Sequence, residues 1–178
     1  MVESLVEAYI GVGSNIRPAE NIVAALAALR KRVAVTATST FYRTAPLDGR
    51  DEEAYLNGVW RVVTSSPPRA LKFDVLRRIE ADLQRTRVED RYAARTIDLD
   101  LLLFDDLVVN EEDLQLPDPD ICERPFIALP LAELAPDLSI PGMDAPLVEY
   151  CRKWEESPMK SDLPFTEGLR ESLRRPVS

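Results

Sequence analysis

Apolar and polar positions along the chain switch between two periods, one of two residues and one of about 3.6, which mark strands and helices respectively. Residues 5–12 read as a strand with Val6, Ala8, Ile10 and Val12 on one face, closed by Gly13-Ser14-Asn15 as a tight turn. Pro18 suits the first turn of a helix over about 19–32, which sets Ile22, Leu26, Leu29 and Val33 at helical spacing. Residues 33–43, rich in Val and Thr, read as a second strand, and residues 44–51 as a polar loop. Residues 55–64 form a third strand. Ser66 is a cap for a helix with proline in its first turn and a buried stripe of Leu71, Val75, Leu76, Ile79 and Leu83. The stretch from Ile97 to Phe104 alternates and then turns strongly apolar, so it is a strand with Ile97, Leu99, Leu101 and Leu103 facing a core. A short hairpin is expected around Leu107-Val108-Val109 and Leu114-Gln115-Leu116, broken by Pro117 and Pro119, then a short helix over about 126–134. The tail after about 155 is charged and weakly patterned, which predicts a frayed helix or a loosely packed extension.

This order predicts an α+β ferredoxin-like β-α-β-β-α-β sandwich with an added hairpin and a C-terminal helical extension. Helices are expected on one face of the sheet, leaving the other face or its rim for a ligand. Residues 1–155 read as a single domain and 156–178 as the extension.

Composition narrows the chemistry. An apolar fraction of 46% and a charged fraction of 30% suit a globular protein, and no apolar run approaches a membrane span. The N-terminus lacks a signal-peptide pattern. Cys122 and Cys151 lie far apart and suggest neither a zinc site nor a disulfide framework, so a reduced, cytoplasmic protein is expected. The chain has no histidine, which removes Ser-His and Cys-His catalytic pairs. A net charge of −9 argues against nucleic acid as a general partner, and against an RNA-binding module built on the same fold. Gly11-Val12-Gly13 lacks the third glycine of a dinucleotide fingerprint, and there is no Walker-type Gly-Lys-Ser/Thr.

Against that acidic background Arg85, Arg87, Arg91 and Arg95 cluster just before Asp98 and Asp100. On a strand the two carboxylates stand on one face beside Thr96, and they repel unless something positive lies between them. Two readings stay open. The acids could pair with Arg91 and Arg95 in a surface ion network, or they could hold a hard cation such as Mg²⁺ while the guanidinium forks take phosphate oxygens. The second is what metal-assisted phosphoryl or pyrophosphoryl transfer requires. Asn57 shares a strand face with Tyr55; its amide suits the edge of a heterocycle, and equally a bond to local backbone. Glu80 lies near the end of its helix, close in sequence to the arginines.

At these residues the chain resembles the 6-hydroxymethyl-7,8-dihydropterin pyrophosphokinase family. The resemblance runs from Tyr9 to about Asp137: Gly13-Ser14-Asn15, Phe41-Tyr42-Arg43-Thr44, Pro46-Leu47, Tyr55-Leu56-Asn57, Ile79-Glu80, Arg85, Arg87, Arg91-Tyr92-Ala93-Ala94-Arg95-Thr96-Ile97-Asp98-Leu99-Asp100, Leu116-Pro117, Arg124, Phe126 and Pro130-Leu131. It implies transfer of pyrophosphate from ATP to the hydroxymethyl of a dihydropterin, releasing AMP, in folate biosynthesis. It implies that Asp98 and Asp100 hold two Mg²⁺ ions, and that Arg85 and Arg95 belong with them to the catalytic group. Glu80, Arg87, Arg91, Asp118 and Arg124 would serve ATP. Thr44, Leu47, Tyr55, Asn57, Tyr92 and Phe126 would form the pterin pocket, with Phe126 stacking on the ring. A monomer is the expectation and a dimer the alternative; no membrane partner is implied.

The chain departs from the family pattern at Pro117-Asp118, where Pro-His is usual. An acid there weakens ATP binding by like-charge repulsion unless Asp118 turns away or joins the metal shell. Tyr92 stands where Trp is frequent, Gln84 where glycine often precedes the first loop arginine, and Arg50 and Asp51 alter the first loop. These departures leave a second reading: a non-catalytic or substrate-shifted relative that binds a pterin or a nucleotide.

Overall fold

The computed structural model describes residues 4–45, 54–84 and 94–177. The chain runs β1 (Val6–Ser14), α1 (Pro18–Arg30), β2 (Ala34–Thr38), β3 (Tyr42–Thr44) and β4 (Tyr55–Thr64). Next come α2 (Pro68–Ala70) and α3 (Arg77–Asp82), joined by a π-helical stretch (Leu71–Leu76), and then β5 (Asp98–Phe104). The ribbon of β6 (Val109–Asn110) and β7 (Gln115–Leu116) leads to α4 (Pro125–Leu134), α5 (Leu147–Cys151), β8 (Lys160–Ser161) and α6 (Leu163–Arg174).

Six strands make one antiparallel sheet in the order β5-β1-β4-β3-β8, with β2 also paired to β4. Helices pack on both faces of this sheet, not on one as expected from the sequence. On the first face Ile10, Val12, Leu56, Trp60, Leu99 and Leu101 pack with Ile22, Leu26 and Leu29 of α1, Ile79 of α3 and Leu169 of α6. On the second face Tyr9, Val59, Leu102 and Leu103 pack with Ala128 and Leu131 of α4 and Leu147 and Cys151 of α5. Both strand faces being apolar there explains why β1 lacks a clean alternation: seven consecutive residues, from Ala8 to Ser14, are buried.

Three expectations change. Leu103 does not face the same way as Leu99 and Leu101. The β1–β5 register jumps from Ile10↔Leu101 to Tyr9↔Leu103, so Leu102 is an extra residue. A bulge of this kind rotates the strand beyond it: Leu102 and Leu103 both join the second core, and Phe104 returns to the first. The single strand of 33–43 is instead β2 and β3, interrupted at 39–41. There Ser39 accepts the Val59 amide on its hydroxyl at 2.8 Å, and Thr40 gives its amide to Glu133 at 3.0 Å. The residues after 155 form β8 and α6, which pack on the sheet. β8 pairs with β3, Leu169 of α6 is buried in the first core, and Phe165 sets its ring edge-on to Phe41 at 5.5 Å. Phe165, Leu169 and Leu173 recur at helical spacing, and that stripe outweighs the charged average of the tail. At the start of α2, Pro67 rather than Ser66 holds the cap position, with no side-chain cap bond.

Candidate functional site

Opposite residues in neighbouring antiparallel strands share a sheet face. One such row crosses five strands: Ser161, Tyr42, Asn57, Gly13 and Asp98 lie opposite one another in β8, β3, β4, β1 and β5. Asn57 and Asp98 therefore stand on one face, separated only by the bare backbone of Gly13. The next positions along the same face are Tyr55 opposite Thr44 and Asp100 opposite Gly11. This is the face that α4 and α5 cover through Val59 and Leu102, two residues along each strand from Asn57 and Asp100.

On β1 this half of the face carries no side chain at Gly13 or Gly11. A Cβ on Gly13 would meet Asn57 Oδ1 at 2.6 Å. Asn57 is buried, and its Nδ2 donates to Thr44 Oγ1 at 2.8 Å. The amide thus has a fixed orientation, with its donor side spent partly on Thr44 and its oxygen lying over Gly13.

The Gly13-Ser14-Asn15 stretch is not a tight turn. The strand runs on through Ser14, and the segment sews the approach to β5 onto the end of β1. Ser14 Oγ donates to the Thr96 carbonyl at 2.6 Å, Asn15 Oδ1 accepts the Arg95 amide at 2.7 Å, and the amides of Asn15 and Ile16 both donate to the Arg95 carbonyl at 3.2 Å. With its backbone held at both polar atoms, Arg95 presents its guanidinium to Asp98, with which it forms an ion pair. Burial pulls the Arg95 guanidinium down, and Asp98, with smaller help from Tyr55 and Asp100, more than offsets it.

On the outer edge of β5 the strand is held by two acids. Glu80 of α3 is buried; it accepts the Leu99 amide at 2.8 Å on one oxygen and Arg77 Nη1 at 2.9 Å on the other. Leu99 lies between Asp98 and Asp100, so α3 fixes the segment that carries both. Asp118 donates its amide to the Leu102 carbonyl at 2.8 Å, and its carboxylate accepts the Asp120 amide at 2.8 Å, capping the turn Pro119–Cys122. One Asp118 oxygen is thus spent on its own turn. Asp118 remains near enough to Asp100 to act on it.

Asp100 is pushed up to about 8 by loss of hydration, then by Asp98, Asp118 and Glu80, with Arg77 opposing. Asp118 is raised as well, first by burial, with Asp120 and Asp98 adding to it and the Asp120 amide and Lys72 opposing. Asp98, Asp118 and Glu80 thus all bear on Asp100, and Arg77 and Arg95 are each already bonded to one of these carboxyls. Such a set of hard oxygen donors fits a hard cation. Among the described residues no three His, Cys, Asp or Glu side chains enclose a point as a ready metal cage. The set fits an ion that takes two carboxylates and completes its shell with water and substrate phosphates better than one held by protein alone.

The other sequence-derived residues divide in two. Arg124 stands at the cap position of α4 with Nε 3.8 Å from Asp120 Oδ1, and Phe126 is half-buried in the first turn of the same helix. Leu47, Arg85, Arg87, Arg91 and Tyr92 lie outside the described residues. Sequence reasoning missed the anchoring by Ser14 and Asn15 and the clamp made by Glu80. Glycine inside a strand was the available signal for the first, since it marks a close approach of another chain segment.

A family model described as 7,8-dihydro-6-hydroxymethylpterin-pyrophosphokinase (HPPK) matches residues 9–136. The chain is 38% identical over 141 residues to the 2-amino-4-hydroxy-6-hydroxymethyldihydropteridine pyrophosphokinase of Haemophilus influenzae, covering 78% of this chain and 87% of that protein. It is 41% identical over 130 residues to the protein of the same name in Bacillus subtilis, covering 71% and 77%. The fold resembles that of the Plasmodium falciparum HPPK-DHPS crystal structures, for example with a TM-score of 0.70 at 14% identity, over 85% of this chain and 42% of that one. This chain spans less than half of those longer structures.

Proposed function

The chain belongs to the 7,8-dihydro-6-hydroxymethylpterin-pyrophosphokinase family, and from that premise we propose how its site divides the work. The protein transfers pyrophosphate from ATP to 6-hydroxymethyl-7,8-dihydropterin, giving AMP and the pterin diphosphate, a step of folate biosynthesis. The sheet order β5-β1-β4-β3 with helices between its strands supports a ferredoxin-like core, and the single domain extends beyond residue 155 to include β8 and α6.

The row Asn57–Gly13–Asp98 carries the assignment of sides. Strands in a sheet are about 4.8 Å apart, so Asn57 and Asp98 are about 10 Å apart across β1. That distance suits an acceptor ring on the β3–β4 side and a polyphosphate on the β5 side. Thr44, Tyr55 and Asn57, with Leu47, Tyr92 and Phe126, form the pterin pocket. Asn57 reads the ring edge with its oriented amide, while Phe126 offers a face. Asp98 and Asp100 hold magnesium, two ions with ATP bound. When bound, magnesium neutralises the phosphate oxygens and steadies the group in transfer. Arg95 places a planar donor fork at the phosphate end, beside Asp98. Arg85, Arg87, Arg91 and Arg124 add further phosphate contacts. Glu80 supports nucleotide binding from behind, by fixing Leu99 between the two acids. The reaction requires charge neutralisation and in-line positioning more than a strong base, and these residues supply both.

A reduced compartment such as the cytoplasm suits the two free cysteines, and no helix among the described residues is long and apolar enough to cross a membrane. A monomer is the reading for the catalytic unit, with a dimer the alternative.

The test is AMP release on mixing the protein with ATP, Mg²⁺ and 6-hydroxymethyl-7,8-dihydropterin. Turnover is expected, and Asp98→Ala or Asp100→Ala should lower kcat by about a hundredfold or more. A folded wild-type protein that releases no AMP overturns the reading; turnover surviving both substitutions overturns the metal assignment.

A further inference from the structure

The segment that closes the chain lies beyond the family-matched residues 9–136, and yet it is bonded to the strand that carries Thr44. β8 extends the sheet past β3, with Ser161 opposite Tyr42 and Lys160 opposite Arg43. Asp162 gives its amide to the Phe41 carbonyl at 2.8 Å, and its Oδ2 accepts Arg43 Nε at 2.9 Å and Nη2 at 2.6 Å. Its Oδ1 accepts the Phe165 amide at 3.2 Å and so caps α6. Thr166 is fully buried; its hydroxyl accepts the Phe41 amide at 2.9 Å and donates to the Asp162 carbonyl at 2.8 Å. Both backbone polar atoms of Phe41, just ahead of β3, are therefore satisfied by the C-terminal segment. The Phe41 ring in turn lies against Gly58, where a Cβ would come within 2.5 Å of it, and Gly58 is next to Asn57.

β3 has only three residues, and three residues of pairing to β4 make a weak hold. Without β8 it would be an edge strand of one short ladder, free to fray on the timescale of local opening. The Thr44–Asn57 bond, which orients the amide, depends on where β3 sits.

We propose that the segment from β8 to α6 is a strap that positions β3, so that Thr44 holds the Asn57 amide in the orientation that binds the acceptor ring. Asp162 is the positioning residue at its centre, acting through Arg43 and Phe41 and touching no substrate. The proposal rests on the assignment of Thr44 and Asn57 to the pterin side.

The experiment compares the full-length wild type with Asp162→Ala, Asp162→Asn and Thr166→Val, well below their melting temperatures. Asp162→Asn keeps an oxygen for the α6 cap and loses the charge that holds Arg43. Hydrogen exchange of the peptide spanning residues 41–44, measured without ligand, should quicken by about tenfold in Asp162→Ala and in Thr166→Val. In steady state the pterin KM should rise about fivefold while the ATP KM and kcat stay within about twofold, with Asp162→Asn in between. The strap is overturned if exchange at 41–44 is unchanged, if exchange quickens and the pterin KM does not move, or if both KM values rise together. Absence of AMP from the wild type would overturn the pyrophosphokinase reading instead. The exchange data and pterin binding, followed by the ring's fluorescence, then decide the strap: wild-type affinity in Asp162→Ala overturns it.

Discussion

Asn57 Oδ1 occupies the space that a side chain on Gly13 would fill, 2.6 Å from the position of a Cβ there. The two residues face each other across β1 and β4, one step from Asp98 in the same row. A missing side chain on the middle strand thus lets an amide on one neighbour and a carboxylate on the other share one face with nothing between them but backbone. The atom in the way is the tip of a side chain, so Gly13→Ala should be tolerated by the fold, with a stability change of less than about 1 kcal/mol. It should turn the Asn57 amide away from Thr44 and raise the pterin KM by about tenfold. Thermal melts beside initial rates at saturating ATP would check both halves.

Asn57→Ala is a complementary probe of the same amide. It removes the donor to Thr44 and the group over Gly13, and it should raise the pterin KM with little change in that for ATP. Equal effects on both substrates would contradict the assignment of sides.

Glu80 is a buried acid whose oxygens meet one amide and one guanidinium. Glu80→Ala leaves the Leu99 amide without a partner at the strand edge and Arg77 without its ion pair, which should cost about 2–4 kcal/mol in urea unfolding. Glu80→Gln keeps an acceptor for the amide and should recover part of the loss. Because Leu99 separates Asp98 from Asp100, Glu80→Ala should also raise the magnesium concentration needed for half-maximal rate.

In metal-free protein Asp100 holds its proton to about pH 8 against a usual value of 3.8. The folded state then binds a proton that the unfolded chain has released. Stability attributable to this group is complete below about pH 4 and is lost progressively as pH rises through the window from about 4 to about 8. Denaturation in chelator should show wild-type stability falling over that window relative to Asp100→Asn, in which the slope disappears. Asp100→Asn should be inactive at every pH.

Asp118 adds negative charge near Asp100 and Asp98 while its carboxylate caps a turn. Asp118→Asn retains an oxygen for the Asp120 amide and removes the charge. With one anion fewer beside the polyphosphate, the ATP KM should fall by about threefold, an effect that fades as salt screens the site. An unchanged value at low ionic strength would show that Asp118 does not act on the nucleotide.

The shared face of Asp98 and Asp100 could be read before any fold was known. The acids Asp98 and Asp100 sit at period two within an apolar run, and that pattern alone sets them on one face. β4 begins and ends where its alternation and flanking residues said, at Tyr55 and Thr64. Leu103 was misread because a bulge belongs to the pairing of two strands and leaves no mark on either one alone. The helix after residue 155 was legible but its buried stripe was not, because charged residues dilute Phe165, Leu169 and Leu173 in any average over the tail.

Local chemistry, written in residue type and spacing, was enough to say that this chain sets paired carboxylates among arginines and brings a hydrogen-bonding amide on another strand. It could not say that Asn57 and Asp98 flank one glycine, that Glu80 reaches across to the amide between the acids, or that residues 160–166 grip the strand of Thr44. Those are pairings between segments distant along the chain. Their register is decided by the joint packing of both sheet faces, which exists only once the chain has folded.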